Sequence, residues 1–274
     1  MDALNLATKP LNLTTKPKSS DIGIDNVVLR YGKGDNAVLA LDGISFHVVP
    51  NEFCVIVGPS GCGKSSLLYL VAGLEERTGG TIVVGGKPVT EPGPDRGMVF
   101  QAYTLFPWLT VAQNVEYGPK RKGIPPAERR AIVEHFLHEV GLAKFANHYP
   151  SQLSGGMKQR VAIARALAND PEVLLMDEPF GALDSQTRHS MQKLLLRIWD
   201  HSKKTVLFVT HDIDEAILLA DRVFVMSGRP GQIKKEIRVG FTRPRSMDLV
   251  MEPNFIAMKR EILELLKNDE DEEH

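Results

Sequence analysis

The chain has 274 residues, of which 43% are hydrophobic and 24% are charged, and its formal net charge is −1. This balance is typical of an ordinary soluble globular protein with a substantial core, and it excludes a strongly basic surface of the kind that attracts nucleic acid. The two cysteines, Cys54 and Cys62, are too few for a disulfide framework, which favours a reducing, cytosolic setting.

The first 20 residues lack the apolar core of a secretory signal, and their Thr, Lys and Pro content predicts a flexible arm. Residues 97–115 carry no charge over nearly the length of a membrane span. Polar side chains, among them Thr110, Gln113 and Asn114, interrupt this run, and each would need a partner in lipid. We therefore expect buried or interfacial protein here, and no transmembrane helix in the chain.

The predicted elements begin with β-rich segments over residues 22–57, then a helix after Lys64, then short strands to about residue 100. Two helices follow, one opening at PPAE and ending at Gly141, the other over MKQRVAIARALAN. From VLLMD onward, strands alternate with helices, which is typical of a parallel sheet. The order predicts an α/β protein.

Residues 58–66, GPSGCGKSS, match the pattern G-x-x-x-x-G-K-[ST] between a predicted strand and a predicted helix. Such glycines let backbone N–H groups converge on phosphate oxygens, and the helix start adds its positive dipole end. The pattern assigns Lys64 to the β- and γ-phosphates of ATP and Ser65 to Mg²⁺. The alternative is a merely tight strand-to-helix turn. The whole loop is the candidate nucleotide site: Gly58, Pro59, Ser60, Gly61, Cys62, Gly63, Lys64, Ser65 and Ser66.

A second motif is VLLMDEP, residues 173–179, in which an apolar strand ends at two acids. We expect Asp177 to hold the Mg²⁺ shell and Glu178 to orient or deprotonate an attacking water. The alternative is a strand that simply ends in solvated acids, and the phosphate loop earlier in the chain argues against it.

A third motif, LSGGMKQR, places Ser154, Gly155 and Gly156 at the start of a helix, which is a second site suited to an anion. One nucleotide needs only one cradle, so this second helix start predicts a nucleotide held by another copy. Taken alone, Ser-Gly-Gly before a helix is more often a simple cap.

With these motifs in this order, nearly the whole chain resembles the ATP-binding subunit of an ABC transporter. The resemblance implies that Tyr31 stacks on adenine and that Gln101 senses Mg²⁺ and the γ-phosphate, as a catalytic and metal-contacting residue. It also implies that Asp184 lies in a loop at the dimer interface and that His211 is the catalytic switch histidine. Taken alone, Tyr31 is equally a strand-end tyrosine, and His211 a capped polar residue.

The fold that the resemblance implies is a P-loop NTPase core with a parallel-rich sheet, an N-terminal antiparallel β subdomain and a helical subdomain. We expect these boundaries: a flexible arm at 1–20, an ABC ATPase domain at 21–240 with its helical subdomain at about 103–168, a short helical extension at 241–267 and an acidic tail at 268–274.

The resemblance further implies two cassettes facing each other head to tail. Each ATP would lie between Lys64 of one cassette and residues 154–156 of the other. The γ-phosphate closes the pair, and hydrolysis by a water near Glu178 and His211 lets the halves separate.

Met157 stands where the commonest ABC signature has glutamine. Together with the stretches EPGPDRGMVFQ and MSGRPGQI, it resembles the bacterial importers of the nitrate, sulfonate and taurine group. This implies four features: pairing with itself or with a paralogous cassette, a transmembrane permease, an indirectly engaged solute-binding protein, and a peripheral position at the cytoplasmic face of the membrane. Within residues 103–108, we expect five side chains to help form a groove for a short permease helix: Tyr103, Leu105, Phe106, Pro107 and Trp108. The alternative is that they pack inside the domain.

Two other functions are compatible with parts of the sequence. A soluble ABC-type ATPase acting on nucleic acid or ribosomes usually has two fused cassettes or long coiled-coil insertions, whereas this chain has one set of motifs and a neutral charge. A small-molecule kinase would leave LSGGM and His211 unexplained. The transported solute stays open, because selectivity belongs to the permease and the binding protein.

Overall fold

The computed structural model describes residues 20–267, apart from the side chain of Asp35. The predicted arm, except Ser20, and the predicted acidic tail lie outside the described residues. The strands are β1 (Ile22–Tyr31), β2 (Val38–Val48), β3 (Phe53–Val57), β4 (Gly79–Val84), β5 (Lys87–Pro88), β6 (Arg96–Val99), β7 (Val173–Asp177), β8 (Thr205–Val209), β9 (Arg222–Met226) and β10 (Ile233–Arg238). The α-helices are α1 (Lys64–Ala72), α2 (Val111–Arg121), α3 (Pro126–Glu139), α4 (Gly155–Ala168), α5 (Ser185–Ser202), α6 (Ile213–Leu219) and α7 (Pro253–Lys267).

The larger sheet has six strands in the order β10-β9-β3-β8-β7-β6, and every neighbouring pair except β10 with β9 is parallel. Every residue of β3, β7 and β8 is buried. Parallel strands covered on both faces need apolar side chains throughout, which explains the runs FCVIV and TVLFV. The predicted α/β fold with a parallel-rich sheet is confirmed.

The two faces of this sheet belong to two cores, as the alternating side chains of β3 show. Phe53, Val55 and Val57 point into a core built with helices α2 to α7. Cys54 and Ile56 point into a second core, shared with α1 and with the antiparallel sheet β2-β1-β4-β5. Both cysteines are buried, and they form no disulfide. The central strand β3 is therefore held from both sides, and so is the loop that follows it.

The uncharged run 97–115 does not form one element, because it contains the end of β6, a loop and the start of α2. Helix α2 is missing from the elements predicted above. Its start is fixed by a capping box, in which Thr110 Oγ1 accepts from the backbone N–H of Gln113 and Gln113 Oε1 accepts from that of Thr110. The run is buried only in part, since Trp108 is 70% exposed. Within residues 20–267, no helix is long and apolar enough to cross a bilayer.

The topology explains why distant motifs meet. Strands β3, β8, β7 and β6 are consecutive neighbours and run in the same direction, so their carboxyl ends share one edge of the sheet. Ligand sites of open α/β sheets lie at this edge. The four segments that follow these strands begin at Gly58, Thr210, Glu178 and Phe100.

Candidate active site

The loop between β3 and α1 curls around the side chain of Lys64. Gly61 and Gly63 have φ angles of +79° and +98°, in the left-handed region that favours glycine. A Cβ atom on Gly63 would lie only 2.7 Å from Leu41 Cδ2, so the position also needs glycine for space. Lys64 Nζ donates to the carbonyl oxygens of Gly58 at 2.8 Å and Pro59 at 2.7 Å. No side chain caps the start of α1, so its positive end faces the loop.

Asp177, at the end of β7, is buried between two hydroxyl groups of α1. Ser65 Oγ donates to Oδ1 of Asp177 at 2.8 Å, and Tyr69 Oη donates to Oδ2 at 2.8 Å. Burial and the contact with Asp177 raise the pKa of Tyr69 to about 12, so the phenol stays a donor at neutral pH. The predicted pair Ser65 and Asp177 is therefore brought together, with Tyr69 as an additional partner.

Glu178 and His211 also meet, at the ends of β7 and β8. Oε2 of Glu178 lies 2.9 Å from Nδ1 of His211, and the two side chains are 17% and 55% exposed. Glu178 has a φ angle of +40°, a conformation that costs free energy for a residue with a side chain and is found mainly at functional sites. Its backbone N–H donates to Val209 on β8. The backbone thus directs this carboxylate toward the end of β8, which His211 follows.

Gln101 lies at the same edge, beyond β6. A Cβ atom built on Gly181 would be 3.6 Å from Glu178 Oε2 and 3.8 Å from Gln101 Nε2, so both side chains flank this glycine. Gln101 is exposed. Gln101 and Glu178 are therefore brought together beside Gly181, and Glu178 in turn contacts His211.

Tyr31 reaches the phosphate loop from the antiparallel sheet. Its hydroxyl is hydrogen-bonded to Ser66 Oγ at 2.9 Å, and its ring is 42% exposed at the end of β1. Partial burial, followed by a hydrogen bond with Glu75, raises the pKa of Tyr31. A tyrosine beside the loop and open to solvent is suitably placed for stacking on a base.

Ser154 and Asp184 occupy the starts of two helices that pack against each other. Ser154 Oγ caps α4 by accepting from Met157 N, and Asp184 Oδ1 caps α5 by accepting from Thr187 N at 3.0 Å. The N–H of Thr187 lowers the pKa of Asp184. A Cβ atom on Gly156 would be 2.5 Å from Thr187 Cγ2, so a glycine is required where the two helix starts meet. Ser154 and Asp184 are both exposed, and a second molecule can reach them.

Three residues that fix the site are missing from the sequence-based predictions. Tyr69 lies one helical turn after Ser65, a spacing that could have indicated it. Asn114 accepts from Phe106 N and donates to three carbonyls of residues 106–110. Arg165 on α4 donates to the carbonyl and hydroxyl oxygens of Thr104. The last two set the shape of the loop that follows Gln101. The Arg165 contact joins residues 61 positions apart, so no local sequence pattern indicates it.

Comparison with known proteins agrees with this geometry. The family model described as ABC transporter matches residues 41–181, just over half of the chain. The nitrate import ATP-binding protein NrtD of Synechocystis sp. is 50% identical over 243 residues, which cover 86% of this chain and 91% of that protein. The bicarbonate transport ATP-binding protein CmpC of Synechococcus elongatus is 46% identical over 89% of this chain, although the match covers 38% of that longer protein.

A solved structure with 35% sequence identity, the ATP-binding cassette MJ0796, superposes with a TM-score of 0.72 over 81% of this chain and 100% of that one. It is a dimer in a post-hydrolysis state, bound to ADP and phosphate. The predicted resemblance to the nitrate group is confirmed by the two transport relatives. On this family match, these identities and this shared fold, the chain belongs to the ABC transporter family as one of its ATP-binding, ATP-hydrolysing cassettes.

Proposed function

We propose that two cassettes, each a copy of this chain or a paralogue, close over ATP and that hydrolysis of ATP powers a membrane permease. The observation that carries the proposal is the shared sheet edge, where the loop of Lys64 and Ser65 lies with Asp177, Glu178 and His211. The solved dimer with ADP and phosphate supports the two-cassette arrangement.

In this proposal, the residues of the site contribute to phosphate binding and to hydrolysis in different ways. The Lys64 ammonium and the start of α1 neutralise phosphate charge. Glu178 orients the attacking water and accepts its proton. With its proton on Nδ1, His211 donates to Glu178 and holds this carboxylate in place. The 2.9 Å separation of Nδ1 and Oε2 supports the pairing.

Mg²⁺ fits the donors of Ser65 and Asp177. A hydroxyl and a carboxylate are hard oxygen ligands, and Mg²⁺ commonly takes one or two such protein ligands and completes its shell with water and phosphate. No group of three or more His, Cys, Asp or Glu side chains suited to a metal occurs in the described part of the chain. We propose that Ser65 and Asp177 hold the ion, with Gln101 reaching it from β6. The ion would add positive charge beside the phosphates.

The partner cassette would use the start of α4. Ser154 is exposed, and the helix that it caps presents its positive end to solvent. We propose that residues 154–156 meet the γ-phosphate of ATP held by the other cassette. Asp184, exposed at the neighbouring start of α5, would lie in the same interface.

Residues 103–108 are proposed to receive a short helix of the permease. Trp108 is 70% exposed, and the ring of Phe106 lies 5.7 Å from that of Trp108 and 4.6 Å from that of Tyr117. This exposed aromatic group supports a binding surface over the alternative of core packing. The four hydrogen bonds of Asn114 hold the loop in one shape, which lowers the entropic cost of binding.

The transport relatives support import of a small anion, such as nitrate, from a solute-binding protein, with this chain peripheral at the cytoplasmic face. The test has two parts. The tagged chain is purified from its native membranes and the proteins that accompany it are identified. The ATP-dependent uptake of nitrate, bicarbonate and taurine into vesicles is then measured. We expect a polytopic membrane protein to co-purify and one of these solutes to accumulate. Ribosomes or DNA in its place would overturn the proposal.

A further inference from the structure

Glu215 is an acid in the interior of the protein. It lies in the first turn of α6 and is 3% exposed, although no ion pair reaches it from any residue between 20 and 267. Gln192 Nε2, on α5, donates to its Oε1 at 3.0 Å. The hydroxyl of Thr210 is near enough to lower the pKa of the same carboxylate. A buried carboxylate held only by neutral donors is costly to ionise, so a structural role alone explains it poorly.

The partners of Glu215 belong to the segments that form the active site. Thr210 directly precedes His211, and its N–H donates to Ile56 at the end of β3. The Thr210 hydroxyl also accepts from the N–H of Asp212. Gln192 lies on the helix that begins beside Asp184. The carboxylate thus ties the turn that carries His211 to the helix that starts at the predicted dimer interface.

A second link runs parallel to this one. Arg188 on α5 contacts Asp212 at 3.4 Å and donates to the carbonyl of Leu183. Asp212 caps α6 through the N–H of Glu215. Residues 210–215 are therefore joined to α5 at two points, of which the Gln192–Glu215 contact is the buried one.

We propose that Glu215 is a positioning residue, whose ionised carboxylate holds the Thr210–His211 turn against α5 and keeps His211 within reach of Glu178. Protonation removes the negative charge that makes this carboxylate a strong acceptor, so the hydrogen bond from Gln192 weakens and the turn is held less firmly against α5. Hydrolysis of ATP therefore depends on the protonation of a group that touches no substrate. The inference rests on the proposed role of His211.

The surroundings place this ionisation in the physiological range. Burial raises the pKa of Glu215 to about 7, with Asp212 adding to the rise and Thr210, Gln192 and Arg188 opposing it. Other charged groups against α6 are already engaged: Lys259 of α7 with Asp214, and Arg245 with the carbonyls of Ile217, Leu218 and Ala220. The ionised fraction falls about tenfold for each pH unit below the pKa.

The test compares the pH dependence of ATP hydrolysis, from pH 5.5 to 8.5 with saturating ATP and Mg²⁺, in the full chain and in three variants. In Glu215→Gln, the pH profile should lose one ionisation near pH 7. The control is Asp214→Asn, which makes the same chemical change one residue earlier at a half-exposed site, and its profile should keep this ionisation. Gln192→Leu removes a donor and should move this ionisation to higher pH. Circular dichroism checks that each variant is folded.

An unchanged profile in folded Glu215→Gln would overturn the inference. Should that variant fail to fold, an unshifted profile in Gln192→Leu would overturn it equally. His211→Ala, measured beside them, separates the two proposals: undiminished hydrolysis in that variant refutes the role of His211, whereas the profiles of the other variants refute or support the role of Glu215.

Discussion

The carboxylate of Glu178 and the imidazole of His211 face each other at 2.9 Å across the ends of two neighbouring parallel strands. Removing the negative charge while keeping the shape of the side chain tests the water-activating role. Glu178→Gln should slow hydrolysis by about 10²- to 10⁴-fold, the usual contribution of a general base. Because ATP still binds, light scattering should show a stable dimer with ATP and Mg²⁺. Glu76→Gln, at an exposed site, is the control. A monomeric Glu178→Gln variant at saturating ATP would count against the two-cassette proposal.

Lys64→Ala should fail at the binding step. Lys64 is only 5% exposed and its ammonium lies inside the loop, where the proposed charge-assisted hydrogen bonds to phosphate would meet little competition from water. Loss of such bonds, each about 1.5–3 kcal/mol, predicts an ATP affinity lower by about 10- to 100-fold. Calorimetric titration with ATP measures this, with the exposed Lys87→Ala variant as the reference. Unchanged affinity would show that the phosphates lie elsewhere.

Tyr69→Phe tests the second hydroxyl on Asp177. The ring stays, but Oδ2 of Asp177 loses its donor and with it part of its orientation. Changes of this kind behind a metal ligand typically cost about 10- to 100-fold in metal affinity. The measurement is Mn²⁺ binding in the presence of ADP, followed by electron paramagnetic resonance, with ADP affinity in metal-free buffer as the control. Equal Mn²⁺ affinity in both proteins would exclude a role for Tyr69 in the proposed metal site.

Trp108→Ala should lose transport with little change in folding. A side chain that is 70% exposed contributes little to stability, and the expected change in the free energy of unfolding is below about 0.5 kcal/mol. Urea unfolding and vesicle uptake measure the two effects. Asn114→Leu gives the contrast, because it removes the partner of the Phe106 N–H and of the Leu109 carbonyl, and each unpaired group costs about 1–3 kcal/mol. Should Trp108→Ala unfold the protein, residues 103–108 belong to the core and not to a docking surface.

Glu215 predicts an unusual pH dependence of stability. Its folded pKa of about 7 lies above the ordinary value of 4.5, so between these values the folded chain binds more protons than the unfolded chain. This residue therefore stabilises the fold fully at acid pH, and its contribution is lost as pH rises toward 7, by at most about 3 kcal/mol. Glu215→Gln should remove this loss. Urea unfolding at pH 5.5 and 8 shows it, and an equal pH dependence in both proteins would contradict the prediction.

The strands of the parallel sheet could be predicted because burial on both faces leaves a pattern in the sequence itself, as in FCVIV. Helix α2 could not be predicted from its apolar spacing, since Pro119 and the polar residues at its start interrupt the pattern. Its capping box, Thr110 followed three residues later by Gln113, was nevertheless readable.

The residues of the site also fall into those that the sequence predicts and those that only the structure reveals. Local motifs predict Lys64, Ser65 and Asp177, because each motif places residues of one chemical kind directly at or after the end of a strand. Tyr69 and Glu215 gain their importance only from contacts with other elements, α1 against β7 and α6 against α5. An acid in the first turn of a helix is ordinarily a solvent-facing partner of the helix dipole. Only the packed structure shows that Glu215 faces inward.

Helix α4 has Ser154 at its front end and Arg165 eleven residues later, roughly 16 Å along a straight helix. Arg165 donates hydrogen bonds to Thr104, which lies in the same loop as Trp108. Its guanidinium also lies 5.4 Å from the centre of the Phe106 ring. Helix α4 therefore connects the proposed permease surface with the proposed phosphate contact. In this proposal, a force that the permease applies at one end of the helix would displace the phosphate contact at the other end, without any rearrangement inside the sheet.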